Sequence, residues 1–417
     1  MAPGVVLRAR VVVVGAGPAG LAAATALAGR VEGTVLVLDR EAHAGGVPRH
    51  SHHTGFGVRD LHRVLSGPQY ARRLVDRALA AGVDIATRST VTGWAGERAL
   101  QVTSPAGRVV VEPDAVVLAT GARERPRSAR LVAGDRPAGV YTTGQLQDAV
   151  HLLGRPVGSR AVVVGAEAVS WSAVLTLRRA GCEPVLVTSR FARPEAFAAF
   201  AAAGRLALRV PVATSTRVVR VVGGRRVEAV ELEHVPTGRR RLVPCDTVAF
   251  TADWVPDAEL ARTAGLCVDP GTRGPLVDTA LRTSRPGVFA VGNLVHPVDT
   301  ADVAALGGRH VAPAVLDWLA GGERRPDAVR LGVQAPFTWV SPGLLRPGDT
   351  GPARGRLLLW ADAHVRAPRV VVRQDARVVG ALRVPWPLAP GRVFRLPARV
   401  LTGVRPGAGD AVVGLDR

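Results

Sequence analysis

The chain contains no lysine, a single isoleucine (Ile85), a single asparagine (Asn293) and one methionine among its 417 residues. Arginine therefore carries all of the positive charge, and the formal net charge is +20. Such a balance ordinarily points to nucleic acid or an anionic membrane. Here it accompanies an abundance of arginine, alanine, glycine, proline and valine, the composition of GC-rich coding as in a high-GC bacterium. No basic stripe is interleaved with aromatics, so neither nucleic acid nor a membrane is expected as a partner.

Cysteine is scarce too. Cys182, Cys245 and Cys267 lie too far apart for a Cys-x-x-Cys redox pair or a cysteine metal site, which excludes a dithiol centre and a disulfide scaffold. Cys182 and Cys245 sit in apolar segments and are expected as small core side chains. Mean hydropathy is +0.18, and no apolar run reaches the roughly 18 residues of a membrane span. An arginine followed by an alanine-rich stretch near the N-terminus can imitate a signal peptide, but its glycines explain it better, and a cytoplasmic location is expected.

What is present is concentrated in the stretch from Arg10 to Gly46. Val11–Val14 form a short continuous apolar run of the kind a strand buried on both faces needs. They stop at Gly15-Ala16-Gly17-Pro18-Ala19-Gly20, a GxGxxG between strand and helix. Gly15 makes the tight turn, Gly17 lets backbone approach a pyrophosphate, and Gly20 lets helix and strand pack closely. The helix from Leu21 to Ala28 aims its N-terminal amides at phosphate, and a second strand, Thr34–Leu38, ends on Asp39, where a carboxylate meets a ribose hydroxyl. Strand, glycines, helix, strand and acid in this order mark a dinucleotide-binding unit.

After Gly45-Gly46, the loop Val47–Gly57 holds His50, His52 and His53. A metal ion, a hydrogen-bonded loop and a ligand-facing cluster are the three readings of these histidines. Zinc wants fixed offsets and further ligands that the neighbouring sequence does not supply, so no metal is expected. Gln69–Ala81 reads as a helix stopped at Gly82, and segments 83–91, 100–103 and 108–111 read as a β-meander feeding the apolar strand Ala115–Leu118.

The opening pattern then returns. Ala161–Val164 is followed by Gly165-Ala166-Glu167-Ala168-Val169-Ser170, a helix through Leu177 and a strand from Pro184 to Val187. Glu167 and Ser170 replace the second and third glycines, and Glu167 brings negative charge to the place of a pyrophosphate. A three-stranded meander over 217–244 follows, then a strand at Thr247–Thr251 expected to return to the first domain, the segment Thr283–Asn293, and a helix from Thr300 to Trp318. From Gly321 onward, proline-rich alternating segments predict a small β-rich domain.

Together these residues resemble the two-dinucleotide-binding-domain flavoproteins, the pyridine nucleotide-disulfide oxidoreductase fold. The likeness rests on GAGPAG with Asp39, on LATG at 118–121, on the second nucleotide unit and on TSRPGVFAVGN. It implies an α/β protein: an FAD-binding domain at 8–122 and 245–320, an inserted NAD(P)-binding-like domain at 123–244, and the β-rich domain at 321–417. It implies FAD contacts at Gly15, Gly17, Pro18, Ala19, Gly20, Asp39, Arg40, Gly46, Thr120, Gly121, Gly292 and Asn293. The family usually has Asp where Asn293 stands, and its redox dithiol past Gly46 is replaced by histidines.

Within the fold, LATGARERPR and RPAGVYTTGQLQ resemble the alpha subunit of sarcosine oxidase, the A subunit of opine oxidase and the flavin subunit of hydrogen cyanide synthase. This implies an FAD-dependent oxidoreductase passing hydride between flavin and a small amine or imino acid, with His52 or His53 as general base or substrate contact. The cofactor is FAD, with NAD(P) a second candidate. A partner redox subunit, either a 2Fe-2S protein or a second flavoprotein, completes the expectation. The alternatives are an NAD(P)H-dependent reductase of a small redox protein and a non-catalytic flavin-holding subunit.

Overall fold

The structure, a computed structural model, describes residues 5–196, 204, 206–322, 327–346, 348 and 351–416. The chain divides into two compact units. One comprises the residues up to Arg49, Thr54–Ala122 and Pro256 onward; the other comprises His50–His53 and Arg123–Val255.

The first unit is built on a seven-stranded sheet whose centre is the strand Val5–Val14. It runs parallel to Val35–Leu38 on one side, with Val11 opposite Val35, and to Gly107–Leu118 on the other, with Val14 opposite Leu118. With neighbours on both edges and helices over its faces, the strand can be valine throughout, and Val11, Val12 and Val13 are fully buried. Asp84–Ala86 extends the parallel sheet beyond Val35–Leu38, and Thr90–Trp94 and Leu100–Ser104 form the antiparallel meander. The segment 83–91 is thus two strands in different parts of the sheet, separated by a turn in which Arg88 adopts φ +52°.

Segments 108–111 and 115–118 are, conversely, one strand. Its first half pairs with Leu100–Ser104 and its second half with Val288–Ala290, and Pro113, which has no N–H to donate, falls between the two partners. The helix expected over 300–318 is two helices, Ala301–His310 and Ala312–Leu319. Pro313 accounts for the break: its ring clashes with the preceding turn and suits only the start of a helix. The strand at Thr247–Phe250 is a further correction. It lies in the second unit's sheet, not the first's, and the chain returns only at Val255–Pro256.

That sheet has five parallel strands in the order Val140–Thr142, Thr247–Phe250, Arg160–Val164, Glu183–Thr188 and Val212–Ala213. Thr216–Val222, Ala229–His234 and Arg240–Pro244 form the expected antiparallel meander. Beyond residue 327, two small sheets enclose a core of their own that includes Leu331, Phe337, Leu357, Leu359, Val370 and Phe394. The whole is a mixed α/β protein with two Rossmann-like sheets and a β-rich C-terminal part. No described helix is long and apolar enough to cross a membrane.

Candidate functional site

In the first unit the glycine turn is held by backbone packing. Gly15 adopts φ +109°, and a Cβ there would stand 2.5 Å from the Ala119 carbonyl oxygen; a Cβ on Gly20 would stand 1.9 Å from the Gly15 carbonyl oxygen. Gly17 differs. A Cβ there would meet no protein atom within 4 Å, so the face above the N-terminus of the helix Pro18–Leu27 is open. That helix has no side-chain cap and no acidic residue in its first turn, which leaves its first amides and positive dipole end free for an anion.

Around this turn the structure gathers most of the residues expected to contact FAD. Asp39 is nearly buried; its Oδ2 accepts from the Ala16 N–H at 2.5 Å and its Oδ1 from the Glu41 N–H at 2.8 Å. The carboxylate therefore braces the glycine turn, and its remaining lone pairs are what it can offer a ribose. Gly45 donates to the Ala16 carbonyl at 2.8 Å, and Gly46, at φ +64°, lies so close over Gly17 that a Cβ would be 2.8 Å from the Gly17 Cα. Gly292, at φ +67°, abuts Ala19 in the same way, with 2.7 Å from an added Cβ to the Ala19 Cβ.

Asp257, which sequence reasoning missed, joins three of the expected contacts. Thr120 Oγ1 donates to its carbonyl at 2.7 Å, its N–H donates to the Gly121 carbonyl at 3.0 Å, and its Oδ2 lies 3.5 Å from the Arg40 guanidinium. Nothing in the local pattern around Asp257 announces this role; it follows from the return of the chain beside LATG. Asn293 spends both ends of its amide on one residue. Its Nδ2 donates to the Asp299 carbonyl at 3.1 Å and its Oδ1 accepts from the Asp299 N–H at 2.9 Å.

In the second unit Glu167 occupies the N-cap of the helix Ala168–Arg179, the position Gly17 holds in the first. Its Oε2 accepts from Ser170 Oγ at 3.1 Å and lies 3.3 Å from Thr251 Oγ1. Ala196 donates to the Ala166 carbonyl at 3.0 Å, which draws the following loop onto the glycine turn and buries Glu195. Burial, then the charge of Glu195, raises Glu167 well above the ordinary carboxylate range, and burial raises Glu195 as well. Glu195 Oε2 has no hydrogen-bond partner among the described residues.

The histidine loop is held inside the second unit. His52 stacks on His151 with ring centroids 4.1 Å apart, Arg179 donates to the His52 carbonyl at 2.8 Å, and Ser51 Oγ donates to Gln147 Oε1 at 3.1 Å. His151 lies on a π-helical turn, Asp148–Leu152. Burial, with His52, Arg179 and His50 nearby, pulls its imidazole down to about 4, so it is neutral at neutral pH. His53 belongs to the same loop, half-buried. No group of three or more potential ligands able to hold a metal is found among the described residues.

The family model described as pyridine nucleotide-disulphide oxidoreductase matches residues 9–308. The chain belongs to that family. Its members are FAD-dependent oxidoreductases that bind FAD and NAD(P)H. Among similar proteins, the A subunit of opine oxidase from Agrobacterium tumefaciens (strain Ach5) is 27% identical over 339 residues, covering 73% of this chain and 64% of that protein. This chain therefore spans less than two thirds of it. Thioredoxin reductase of Treponema pallidum (strain Nichols) is 28% identical over 328 residues, covering 74% of this chain and 97% of that protein. The solved structure of T. acidophilum thioredoxin reductase shares the fold with a TM-score of 0.63 at 21% identity, over 74% of this chain and 98% of that one.

As a member of the family, the chain can be tested against both cofactors. The first unit fits a dinucleotide: an open helix N-terminus at Gly17, a Cβ-free surface at Gly46 and a buried carboxylate at the end of the second strand. The second unit does not fit a pyrophosphate in the same pose. Where the first unit offers free amides it offers the half-buried Glu167 carboxyl, backed by the buried Glu195. The family's dithiol chemistry has no cysteine pair either, since Cys182 and Cys245 are buried free thiols and Cys267 an exposed one.

Proposed function

We propose that the chain is the flavin-holding part of an FAD-dependent dehydrogenase or oxidase that acts on a small amine or imino acid and hands its electrons to a partner redox subunit. The observation that carries this reading is the Glu167–Glu195 carboxylate pair in the second unit. It opposes entry of electrons from a pyridine nucleotide and so favours an organic donor. The similarity to an opine oxidase component supports the same direction.

On this reading the backbone of Gly15, Gly17, Pro18, Ala19 and Gly20 holds the pyrophosphate, and Asp39 and Arg40 hold the adenosine end. Gly46, Thr120, Gly121, Gly292 and Asn293 close around the rest. Bound FAD would supply a two-electron acceptor for the hydride on the carbon beside the substrate nitrogen, the nitrogen's proton going to a base of the protein, and a partner's 2Fe-2S centre or second flavin would be the onward electron acceptor. The protein's part is orientation and proton removal, and His52 and His53 are the bases proposed for the proton.

A second reading, an NAD(P)H-dependent reductase of a small redox protein, is favoured by the similarity to T. pallidum thioredoxin reductase along nearly its whole length. One experiment separates the two. The purified protein is mixed anaerobically with NADH, NADPH and a panel of amines and amino acids while the visible spectrum is followed. Bleaching of the flavin band by an amine or amino acid supports the proposal, and bleaching by either nucleotide supports the reductase. A yellow protein that no small donor reduces is a flavin-holding subunit without a reaction of its own, and one that takes up no FAD sinks all three.

A further inference from the structure

Two buried aspartates lie at the start of the helix Ala301–His310, and their surroundings differ sharply. Asp302, 2% exposed, has four donors: the Arg59 N–H and guanidinium, each 3.1 Å from Oδ2, the Val303 N–H at 3.0 Å from Oδ1, and the Thr300 hydroxyl. That is the bonding of a carboxylate. Asp60, 6% exposed, has one. Tyr70 Oη lies 2.7 Å from its Oδ2, while its Oδ1 is buried with no hydrogen-bond partner among the described residues. The Arg309 guanidinium donates to the Asp60 backbone carbonyl at 3.3 Å rather than to its carboxyl.

Tyr70 supplies the deciding constraint. It is fully buried, it has a single hydroxyl hydrogen, and two acceptors stand around it, Asp60 Oδ2 and, at 3.4 Å, the Ala301 carbonyl. With Asp60 a carboxylate, that hydrogen serves one of the two, and a buried charge rests on at most one hydrogen bond with an open oxygen beside it. A proton on Oδ2 removes both faults. The acid then donates to Tyr70 Oη, Tyr70 donates to Ala301, and Oδ1 becomes a neutral carbonyl oxygen, which is far less costly to leave unpaired. Burial, the largest influence, holds Asp60 above the ordinary carboxylate range; the charge of Asp302 adds to it, and the Tyr70 hydrogen bond and Arg309 oppose it.

We infer that Asp60 keeps its proton at neutral pH and that this proton is the catch of a pH-sensitive latch on the loop 57–63. Consecutive side chains tie the loop down, Arg59 to Asp302 on the helix Ala301–His310 and Asp60 to Tyr70 on the helix Gly67–Ala80, and Arg309 adds a bond to the Asp60 carbonyl. While the proton is present, all three ties hold. Its departure places a second negative charge near Asp302, and the two facing guanidiniums, Arg59 and Arg309, are already engaged. The new charge is then relieved by water, which the loop admits by lifting. Val58, His62, Arg63 and Val64 are exposed, so lifting uncovers little core. A raised acid fixes the sign: the hold is complete at low pH and is lost as pH climbs through the folded-state value. None of this depends on the substrate proposed above.

The test uses the full-length, FAD-loaded protein labelled with carbon-13 at its aspartate carboxyls, so that Glu167 and Glu195 stay silent. At about pH 6, where an ordinary aspartate is ionised, one carboxyl resonance that D60N lacks is expected at the position of a neutral acid, and it should reach that of a carboxylate by about pH 9. Over the same range, amide hydrogen exchange in the loop 57–63 should accelerate about tenfold or more relative to D60N at the same pH. The asparagine amide donates to Tyr70 as the acid does but cannot ionise. Y70F, which removes the acceptor of the proton, should speed exchange at every pH. Flavin content and melting temperature establish that each variant is folded; if D60N is not, the resonance is assigned by its displacement in Y70F. An Asp60 resonance already ionised at about pH 6, one still neutral at about pH 9, or loop exchange that responds to pH equally in wild type and D60N overturns the proposal.

Discussion

Thr251 Oγ1 lies 3.3 Å from Glu167 Oε2 and 2.7 Å from Ser170 Oγ, closing a triangle of side chains over the second glycine turn. A Cβ on Gly165 would stand 2.2 Å from the same Thr251 oxygen, so the turn has been sealed by its own neighbours. Free amides that would receive a phosphate in a working site face a carboxylate instead. We expect NADH and NADPH to bind the wild-type protein weakly or not at all near neutral pH. In the double variant E167G/E195Q, which removes both carboxyl groups, affinity should rise at least tenfold, as read by calorimetry. Tight binding to the wild type, unchanged in the variant, would show that the nucleotide lies elsewhere on this unit.

The same pair predicts a pH dependence of stability. Glu167 is raised, by burial first and by Glu195 second, to about 7, so folding binds a proton that the unfolded chain releases above its ordinary 4.5. A raised acid leaves stability intact below the unfolded value and withdraws it as pH climbs through the folded one. Thermal melts should therefore fall between about pH 5 and 8, by an amount on the order of 3 kcal/mol at most. E167Q should flatten the profile. An equally steep decline in E167Q would assign it to another group.

Much of this was legible in the residues and some was not, for a physical reason. GAGPAG, its altered repeat and the valine runs are local signals, and the strands and helices they announce are present. Thr247–Phe250 reads as one more apolar strand, and nothing in it says which sheet it joins; that is decided by its register against Ala161–Val164, some 86 residues earlier. His296 and Ser341 meet across 45 residues, and the Asp257 contacts cross more than a hundred. Periodicity reports which face of an element is buried and is blind to such pairings. Pro313 was a visible stop signal within the span 300–318, and its break follows from the missing N–H.

Gly17 and Gly20 separate ligand binding from folding. Gly20→Ala places a methyl 1.9 Å from the Gly15 carbonyl oxygen, and should cost about 1–3 kcal/mol and lower flavin content with it. Gly17→Ala meets no protein atom within 4 Å, at an ordinary φ of −80°. It should leave the melting temperature of the flavin-free protein unchanged while weakening FAD binding. Both are read by melting curves with and without added FAD, and a Gly17→Ala protein that keeps full FAD affinity would move the pyrophosphate away from this turn.

His52 and His53 are proposed as bases on position alone, so their removal is a direct test. The His52 ring stacks on a neutral His151, an exchange worth little to stability, and the loss of both side chains should change the melting temperature only slightly. Turnover should nevertheless fall by about 10²-fold or more if either ring takes the substrate proton. Steady-state turnover unchanged in the H52A/H53A double variant removes both from the mechanism.

Asn293 stands where the family usually places an aspartate, and its amide explains why the change is compatible with the fold. One end donates to the Asp299 carbonyl and the other accepts from the Asp299 N–H, so the two residues close a ring across the turn that precedes the helix Ala301–His310. An aspartate can perform only the second of these. In N293D the oxygen replacing Nδ2 would face the Asp299 carbonyl at about the former donor distance, exchanging an attraction for a repulsion and adding charge beside a carboxylate that is already buried. The expected cost is about 1–3 kcal/mol, seen as a lower melting temperature of the flavin-free protein. On the proposed reading the FAD contact here is the backbone of Gly292, so FAD affinity should fall little, as read by melting curves with and without added FAD. A tenfold or larger loss of FAD affinity in N293D would mean that the Asn293 side chain acts on the flavin itself.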